Sequence, residues 1–239
     1  MIGIIPAAGI GQRMGAEIPK QYLQCCGKTI LDQSIFALLQ DPRIERVWVA
    51  LQDEDQWWST SHFAADSRVQ VTLGGATRAQ SVLTALHAAQ DSGVAATTLA
   101  AVHDAARPAL AAEVLARLLD AAEGSPESGA LLALPVRDTV KQAMTQSAQS
   151  SKPVSAQTLD REKLWLAQTP QVFQLGRLIQ ALEAGLAENA ALTDESSALE
   201  FCGEKPLLVM GSRQAMKVTD PEDLALVEYY LKQLNRSFI

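Results

Sequence analysis

The sequence predicts an α/β fold, in which a mostly parallel twisted sheet has helices on both faces. Short apolar runs rich in Val, Ile and Leu alternate with stretches whose apolar residues have helical spacing. Most of these runs end in a polar or glycine-containing loop before the next helical pattern begins. A strand, a loop and a helix repeated about four times is typical of parallel strands joined by crossover helices.

Each predicted element follows from its residues and from the signals that start or stop it. Strands are predicted where runs are short, apolar and often β-branched. Helices are predicted where apolar residues recur every three or four positions, as after the cap residue Thr29 or the Asp220-Pro221 start. The predicted strands are 2–5, 47–51, 69–73, 99–102, 131–136 and 206–210, with a strand-like segment at 137–142. The predicted helices are 30–39, 81–90, 110–123, 175–188, 195–201 and one that begins at Pro221.

Composition limits the class of protein. The chain has 239 residues, and we expect a single domain over 1–239. No apolar run approaches the roughly 20 residues of a membrane span, and the start has no basic segment followed by an apolar one. We therefore expect a cytoplasmic protein that does not enter a membrane. The net charge of −7 argues against a nucleic-acid-binding protein, which normally has a basic face.

A glycine-rich loop follows the first predicted strand. Gly9, Gly11 and Gly15 let backbone N–H groups approach a bulky anion without obstruction by a Cβ. Arg13 and Lys20 add two cations within reach of the same place. The loop therefore predicts a site that cradles a triphosphate.

Two better-known phosphate-binding loops fit this segment less well. Its spacing G-x-G-x-x-x-G is one residue too long for the dinucleotide-binding fingerprint, and no G-x-x-x-x-G-K-[ST] run is present. A bare glycine turn between a strand and a helix is the remaining alternative, which the two cations make less favoured.

Two further loops carry polar residues at the ends of predicted strands. Gly75 precedes Arg78 and Ser81, which lie one helical turn apart and can face one spot. Asp104 and Arg107 follow the strand 99–102, where ligands bind in open α/β sheets. The alternatives are a bare turn for the first loop and an Asp–Arg pair that only fixes the turn for the second.

The segment at about 136–160 differs from the rest of the chain. Residues 144–155 are rich in Ser and Gln and too polar to belong to the core. They predict either a loose loop or an extended arm, and an arm would suit a partner subunit. Lys217, further on, is by itself most simply a surface lysine.

Seven runs in register, from residue 2 to about residue 228, together resemble the 2-C-methyl-D-erythritol 4-phosphate cytidylyltransferase family. Each run alone is weak, but the seven in this order are specific. Cys25-Cys26 and the tract 144–155 depart from the family pattern, which leaves the length and pairing of the arm open. The runs are PAAGIGQRMGAEIPKQY, GGATRAQSV, VHDAARP, PVRDTVKQ, DREKLWLAQTPQ, TDESSALE and MKVTDPEDL.

The resemblance implies a Rossmann-like nucleotidyltransferase that acts as a homodimer through an extended β-arm. It implies that CTP and 2-C-methyl-D-erythritol 4-phosphate give 4-diphosphocytidyl-2-C-methyl-D-erythritol and pyrophosphate, with Mg²⁺, in the non-mevalonate isoprenoid pathway. A cytidylyltransferase for another polyol phosphate, such as ribitol 5-phosphate, would share the loop and the fold. A nucleotide-binding sensor without turnover is an alternative of another class.

The resemblance also implies roles for individual residues. Arg13, Lys20, Arg161 and Lys217 match catalytic positions, and Asp104 matches the metal ligand. Thr139, Arg161 and Thr169 match positions that the family's arm presents to the neighbouring subunit. The positions that match nucleotide contacts are Ala7, Ala8, Gly9, Gly11, Gly75, Arg78, Ser81, Asp104 and Ala105. Those that match contacts to the second substrate are Arg107, Thr139, Arg161, Thr169 and Lys217.

The implied chemistry suits these residue types. A phosphate monoester has a second pKa near about 6, so it is already a nucleophilic dianion at neutral pH and needs no general base. The difficulty is to bring it to a triphosphate, which requires positioning and neutralisation of charge by Lys, Arg and Mg²⁺.

Overall fold

A computed structural model describes residues 1–9, 18–144 and 152–234. The helices in these ranges are α1 Ile30–Leu39, α2 Arg78–Asp91, α3 Ala112–Gly124, α4 Leu175–Ala187, α5 Glu195–Phe201 and α6 Pro221–Gln233. The strands are β1 Ile2–Pro6, β2 Gln24–Cys25, β3 Lys28–Thr29, β4 Arg46–Leu51, β5 Val69–Leu73, β6 Leu99–Val102, β7 Ala130–Pro135, β8 Val140–Ala143, β9 Ser155–Leu159, β10 Trp165–Gln174 and β11 Leu207–Met210.

The main sheet has seven strands in the order β11-β7-β10-β6-β1-β4-β5. The pairs β6–β1, β1–β4, β4–β5 and β7–β11 are parallel, which confirms the prediction of a mostly parallel sheet. Only β10 runs antiparallel to its neighbours β6 and β7 in this sheet. The residues of β10 that precede the Gln171–Val102 pair therefore lie beyond the carboxyl end of β6.

Helices cover both faces of the sheet, as predicted. Ile5 of β1 points into one apolar cluster, which includes buried residues of α1 and α3. Ile2 and Ile4 of the same strand point into the opposite cluster, which includes buried residues of α2 and α4. This alternation is what a strand buried on both faces requires. A third cluster packs α6, through Val227 and Leu231, against the end of the molecule that holds β2.

Most predicted elements agree with the structure to within a few residues, and the differences have local causes. The helix predicted at 81–90 begins at Arg78, because Thr77 forms a capping box with Gln80. The helix predicted from residue 110 begins at Ala112, because the backbone of the preceding residue Ala111 is extended and forms the N-cap. β4 and β5 are joined by a segment that has only the short 3₁₀-helix Trp58–Thr60, so the strand-loop-helix alternation is interrupted there.

The predicted arm contains a β-hairpin separate from the main sheet. β8 pairs antiparallel with β9, from Val140 opposite Leu159 to Ala143 opposite Ser155, and most of these residues are exposed. Residues 145–151, between the two strands, lie outside the described part of the chain. Among the residues that are described, no helix has the length and apolar character to cross a membrane.

α1 is fixed at its start by a carboxylate that also binds the segment after β4. The hydroxyl of Thr29 accepts a hydrogen bond from the N–H of Asp32, and the Asp32 carboxylate accepts one from the N–H of Thr29. The other oxygen of Asp32 accepts hydrogen bonds from the Ser61 hydroxyl at 2.6 Å and from the His62 N–H at 3.2 Å. Asp32 therefore links the start of α1 to the long segment between β4 and β5.

We expect Asp32→Ala to lower the free energy of unfolding by about 2–3 kcal/mol, since it removes a cap and leaves buried donors without an acceptor. Thr77→Ala, which removes the cap of α2, should cost only about 1 kcal/mol. Urea unfolding followed by circular dichroism measures both. An equal loss in the two variants would show that the contacts to Ser61 and His62 contribute nothing.

Candidate active site

A cavity of about 220 Å³ opens at the carboxyl ends of the parallel strands. Its walls come from the loop after β1, the start of α2, the loop after β6 and the segment before α6. Lys20 and Lys217 both line it. The predicted nucleotide contacts that line it are Ala7, Ala8, Gly9, Gly75, Arg78, Ser81, Asp104 and Ala105. Gly11 and Arg13 lie outside the described residues.

The two glycine-containing loops approach each other closely on one side of this cavity. A Cβ at Gly74 would overlap the Cβ of Ala8, so only glycine allows this approach. The Ser81 hydroxyl lies 3.0 Å from the N–H of Gly75, which donates to it. Ser81 therefore shapes the second loop as well as lining the cavity.

A second cavity, of about 250 Å³, adjoins the first. Arg78, Asp104 and Lys217 line both cavities, so these three side chains lie at the junction. The second cavity is also lined by Arg107, Ala167, Gln168, Thr169, Gln171, Thr193 and Asp194. The arrangement offers two binding spaces that meet at one group of charges.

Asp104 is the centre of that group. Its Oδ1 accepts a hydrogen bond from Nε of Arg78 at 2.9 Å, and its Oδ2 accepts one from Nζ of Lys217 at 2.8 Å. Nε of Arg107 lies 3.5 Å from Oδ2. Burial alone would raise the pKa of this carboxyl, but the three cations hold the pKa of Asp104 far below its usual range. Asp104 is therefore ionised at neutral pH.

Arg78 has a second carboxylate partner, Glu195. Nη1 and Nη2 of Arg78 donate to the two oxygens of Glu195 at 2.7 and 3.0 Å, a bidentate pair. The Glu195 side chain is only 1% exposed. Burial raises the pKa of Glu195 above its ordinary value, although Arg78 acts in the opposite direction.

Thr169 lies in the body of the molecule and not on the arm. Its hydroxyl accepts a hydrogen bond from the N–H of Asp104 in the same chain at 3.0 Å and is 3.1 Å from Nδ1 of His103. Thr169 is buried. The structure thus places Thr169 beside the Asp104 loop of its own chain, next to a bulge in β10 where four steps from Ala167 to Gln171 oppose two steps of β7. A role of Thr169 toward the neighbouring subunit stays a prediction.

Arg107 is held in the wall of the second cavity by one backbone contact. Its Nη1 donates to the carbonyl of Ala215 at 2.8 Å. Its Nε is buried and has no hydrogen-bond partner among the described residues. Burial lowers the pKa of Arg107, an effect that Asp104 opposes. The nearest acceptor to this Nε is Oδ2 of Asp104, at the longer ion-pair distance of 3.5 Å. A largely buried guanidinium that is held this loosely is suited to an anionic ligand.

Thr139 and Arg161 are exposed at the base of the arm and line neither cavity in the described chain. Nη1 of Arg161 donates to the carbonyl of Arg137 at 2.6 Å. Lys20 does line the first cavity, and its Nζ donates to the carbonyl of Val218 at 3.3 Å. The structure thus brings Lys20 and Lys217 to one space and keeps Thr139 and Arg161 apart from it.

Several residues that form the site have no role predicted from the sequence. Most of these residues lie in two of the family runs, DREKLWLAQTPQ and TDESSALE. In the second run, a polar residue at the start of a helix is most simply interpreted as a helix cap. That interpretation is correct for Asp194, which caps α5. The unassigned residues of the second cavity and its surroundings are His103, Gln168, Gln171, Thr193, Asp194 and Glu195.

One carboxylate of the site has the character of a Mg²⁺ ligand. The described residues contain no cluster of three or more His, Cys, Asp or Glu side chains able to hold a metal ion. Mg²⁺ commonly takes one or two carboxylates and completes its coordination with phosphate oxygens and water. Each Asp104 oxygen that accepts one hydrogen bond keeps a further lone pair. Asp104 therefore fits Mg²⁺ when a nucleotide supplies the other oxygens.

Fold and site together define a nucleotidyltransferase, in which two adjoining cavities meet at the carboxyl ends of a mostly parallel sheet. The family model described as 2-C-methyl-D-erythritol 4-phosphate cytidylyltransferase, IspD, matches residues 1–233. The chain belongs to this family.

Individual relatives agree over nearly the whole chain. The 2-C-methyl-D-erythritol 4-phosphate cytidylyltransferase of Sodalis glossinidius is 49% identical over 98% of this chain and 93% of its own length. That of Photobacterium profundum is 47% identical over 98% and 97%. The crystal structure of the Francisella tularensis enzyme superposes with a TM-score of 0.80 at 34% identity, over 96% of this chain and 98% of that one.

We expect Arg78→Met to lower the free energy of unfolding by about 3–5 kcal/mol at pH 8, because it leaves the buried Glu195 without its cation. The pKa of Glu195 is then raised further in the folded state. A carboxyl with a raised folded pKa weakens the fold as pH rises through the window between its unfolded and folded values. The deficit relative to the wild type should therefore be smaller at pH 5 than at pH 8.

Urea unfolding at the two pH values measures this deficit. Arg68→Met serves as the control, because Arg68 forms an exposed pair with Asp66. Its effect should be small and nearly the same at pH 5 and pH 8. A deficit in Arg78→Met that does not change with pH would contradict the explanation by Glu195.

Proposed function

We propose that this protein joins CTP to 2-C-methyl-D-erythritol 4-phosphate, releasing 4-diphosphocytidyl-2-C-methyl-D-erythritol and pyrophosphate in isoprenoid biosynthesis. The observation that carries the proposal is the meeting of two cavities at Asp104, Arg78 and Lys217. A reaction between two phosphates needs a space for each and cations where they meet. Membership of the family supplies the identity of the two substrates.

The first cavity is suited to the nucleotide. Gly9 and Gly75 present backbone at its wall, and Lys20 contributes an ammonium group. Backbone N–H groups in glycine loops and a nearby lysine are the usual means of holding a triphosphate. We assign Ala7, Ala8, Gly9, Gly75, Arg78, Ser81, Asp104 and Ala105 to nucleotide binding, with Gly11 and Arg13 added from the sequence alone.

The second cavity is suited to the alcohol phosphate. Arg107 contributes a largely buried guanidinium to its wall, and Lys217 lies at the junction with the first cavity. Thr169 and Thr193 add hydroxyl groups for the polar substrate. The same wall contains the Asp194 carboxylate and two glutamine amides, a mixture suited to a ligand that carries both a phosphate and hydroxyl groups.

The chemistry requires positioning and charge neutralisation more than proton transfer. A phosphate oxygen of the alcohol phosphate attacks the α-phosphorus of CTP, and the bond to the bridging oxygen breaks as pyrophosphate leaves. The attacking group is already a dianion, so no base is needed. In this proposal Lys20 neutralises the triphosphate, with Arg13 added from the sequence alone, while Lys217 and Arg107 hold the attacking phosphate.

We infer that Mg²⁺ is the cofactor and that Asp104 is its protein ligand. When bound, the ion neutralises phosphate charge and orients the oxygens of the triphosphate. Asp104 is kept ionised by its three cationic neighbours, as a ligand must be.

We infer that two copies of the chain form a homodimer through the arm. The hairpin of β8 and β9 is separate from the main sheet, and most of its residues are exposed. Thr139 and Arg161, at its base, line neither cavity of their own chain. Both observations support a site completed by the partner's arm. A cytoplasmic location stays a prediction from the sequence.

Pyrophosphate release tests the activity. With CTP present, we expect turnover with 2-C-methyl-D-erythritol 4-phosphate and much slower turnover with ribitol 5-phosphate. Preference for ribitol 5-phosphate would favour a related cytidylyltransferase. Binding of CTP without release of pyrophosphate from either alcohol would favour a nucleotide-binding sensor.

We expect Lys20→Ala to lower kcat by on the order of 100-fold or more, as is typical when one charge-stabilising donor is lost. Lys232→Ala, which removes an exposed lysine of α6, should leave kcat unchanged. Steady-state kinetics of pyrophosphate release compare the two variants. Turnover of Lys20→Ala within a few-fold of the wild type would remove Lys20 from the catalytic machinery.

Heterodimers test whether Arg161 serves the partner's site. Arg161→Ala and Lys217→Ala chains, co-expressed with different tags, should be poorly active as homodimers. If Arg161 acts across the interface, the purified heterodimer contains one intact site and should recover about half of the wild-type activity. In the control, Lys163→Ala takes the place of Arg161→Ala. Lys163 is an exposed neighbour of Arg161, so the Lys163→Ala homodimer should be active by itself. A verified heterodimer without recovery would place Arg161 with its own chain.

A further inference from the structure

We propose that Glu195 is a positioning residue for nucleotidyl transfer, which fixes Arg78 so that Arg78 holds the Asp104 carboxylate at the junction of the two cavities. The inference rests on the proposed function of this site. Glu195 lines neither cavity in the described chain, so it acts through Arg78 and not on a substrate.

The geometry of Arg78 gives Glu195 this control. The bidentate contact to Glu195 uses two of the five N–H donors of the guanidinium, and the Nε contact to Asp104 uses a third. The guanidinium is planar and rigid, so fixing the edge that carries Nη1 and Nη2 also fixes the direction of the Nε–H bond. That bond is directed at Oδ1 of Asp104.

Both sequence neighbours of Glu195 are hydrogen-bonded to Gln171, which fixes the backbone at Glu195. On one side, the Asp194 carboxylate accepts a hydrogen bond from the side-chain amide of Gln171 at 2.8 Å. On the other side, the N–H of Ser196 donates to the carbonyl oxygen of the Gln171 side chain at 2.8 Å. Gln171 is buried and belongs to β10, the strand that also carries Thr169. The central sheet therefore positions Glu195, and through it Arg78.

Stabilisation of the fold does not by itself explain why a carboxylate occupies position 195. Burial raises the pKa of Glu195, which means that ionisation there is costly. A buried ion pair is often no more stabilising than apolar side chains of similar volume. What the pair adds is a defined direction for Arg78 and a balance of charge. Three cations, Arg78, Arg107 and Lys217, face the two carboxylates Asp104 and Glu195.

The proposal makes a specific prediction for Glu195→Gln, which keeps the shape but replaces one acceptor oxygen with a donor. We expect kcat to fall by about 30- to 100-fold, since small misplacements at a reacting centre cost about that much. KM for CTP should change by less than about 3-fold, because the substitution displaces Arg78 but leaves the other residues of the nucleotide cavity wall in place. Urea unfolding establishes that the variant is folded under the assay conditions. Glu200→Gln, at an exposed position of the same helix, is the control and should match the wild type.

A double-mutant cycle separates positioning from a general structural role. If Glu195 acts through Arg78, adding Glu195→Gln to Arg78→Met should lower kcat by less than about 3-fold further. A merely structural contribution would reduce the activity of both backgrounds by the same factor. Losses that multiply would therefore overturn the proposal.

Glu195→Asp keeps the test valid if the other variants do not fold. It retains the charge but is one methylene shorter, so it cannot make both contacts to Arg78 without moving it. We expect the same fall in kcat with little change in KM for CTP. Wild-type kcat in a folded Glu195→Gln or Glu195→Asp variant would overturn the positioning role. A wild-type protein that makes no cytidylyl product would instead refute the proposed function.

Discussion

The candidate site depends on one buried carboxylate. Asp104 interacts with cations from three separate parts of the chain: Arg78 at the start of α2, Arg107 in its own loop, and Lys217 before α6. Its side chain is 9% exposed, so the charge is only weakly screened by water. Any change in the sheet or helices that carry these groups therefore changes the geometry of the site.

A negative charge at the proposed meeting point of two anionic substrates has a physical reason. Three cations placed together without a counterion would repel one another and turn toward solvent. Asp104 and Glu195 hold their side chains in fixed positions before a substrate arrives. Cations that are already oriented need little reorganisation as charge moves during the reaction, and this preorganisation is the main electrostatic contribution to catalysis.

Much of the fold follows from local patterns, whereas the second half of the site depends on tertiary pairing. The strands, the caps at Thr29 and Asp220, and the placement of Asp104 after β6 all follow from residues near one another in sequence. The antiparallel direction of β10 and its bulge do not, because they are set by pairing with β6 and β7. Nor did any local pattern indicate that Glu195 would meet Arg78, 117 positions away.

The direction of β10 explains how one sheet can build a site for two substrates. Parallel strands bring their carboxyl ends, and the loops that follow, to one edge, which suits the nucleotide. An antiparallel strand next to β6 passes that edge within its own length, so residues inside the strand reach the site. Thr169 and Gln171 use this path to contact the loop of Asp104 and the start of α5, respectively. A parallel strand in the place of β10 would end at that edge and could contribute only through its loop.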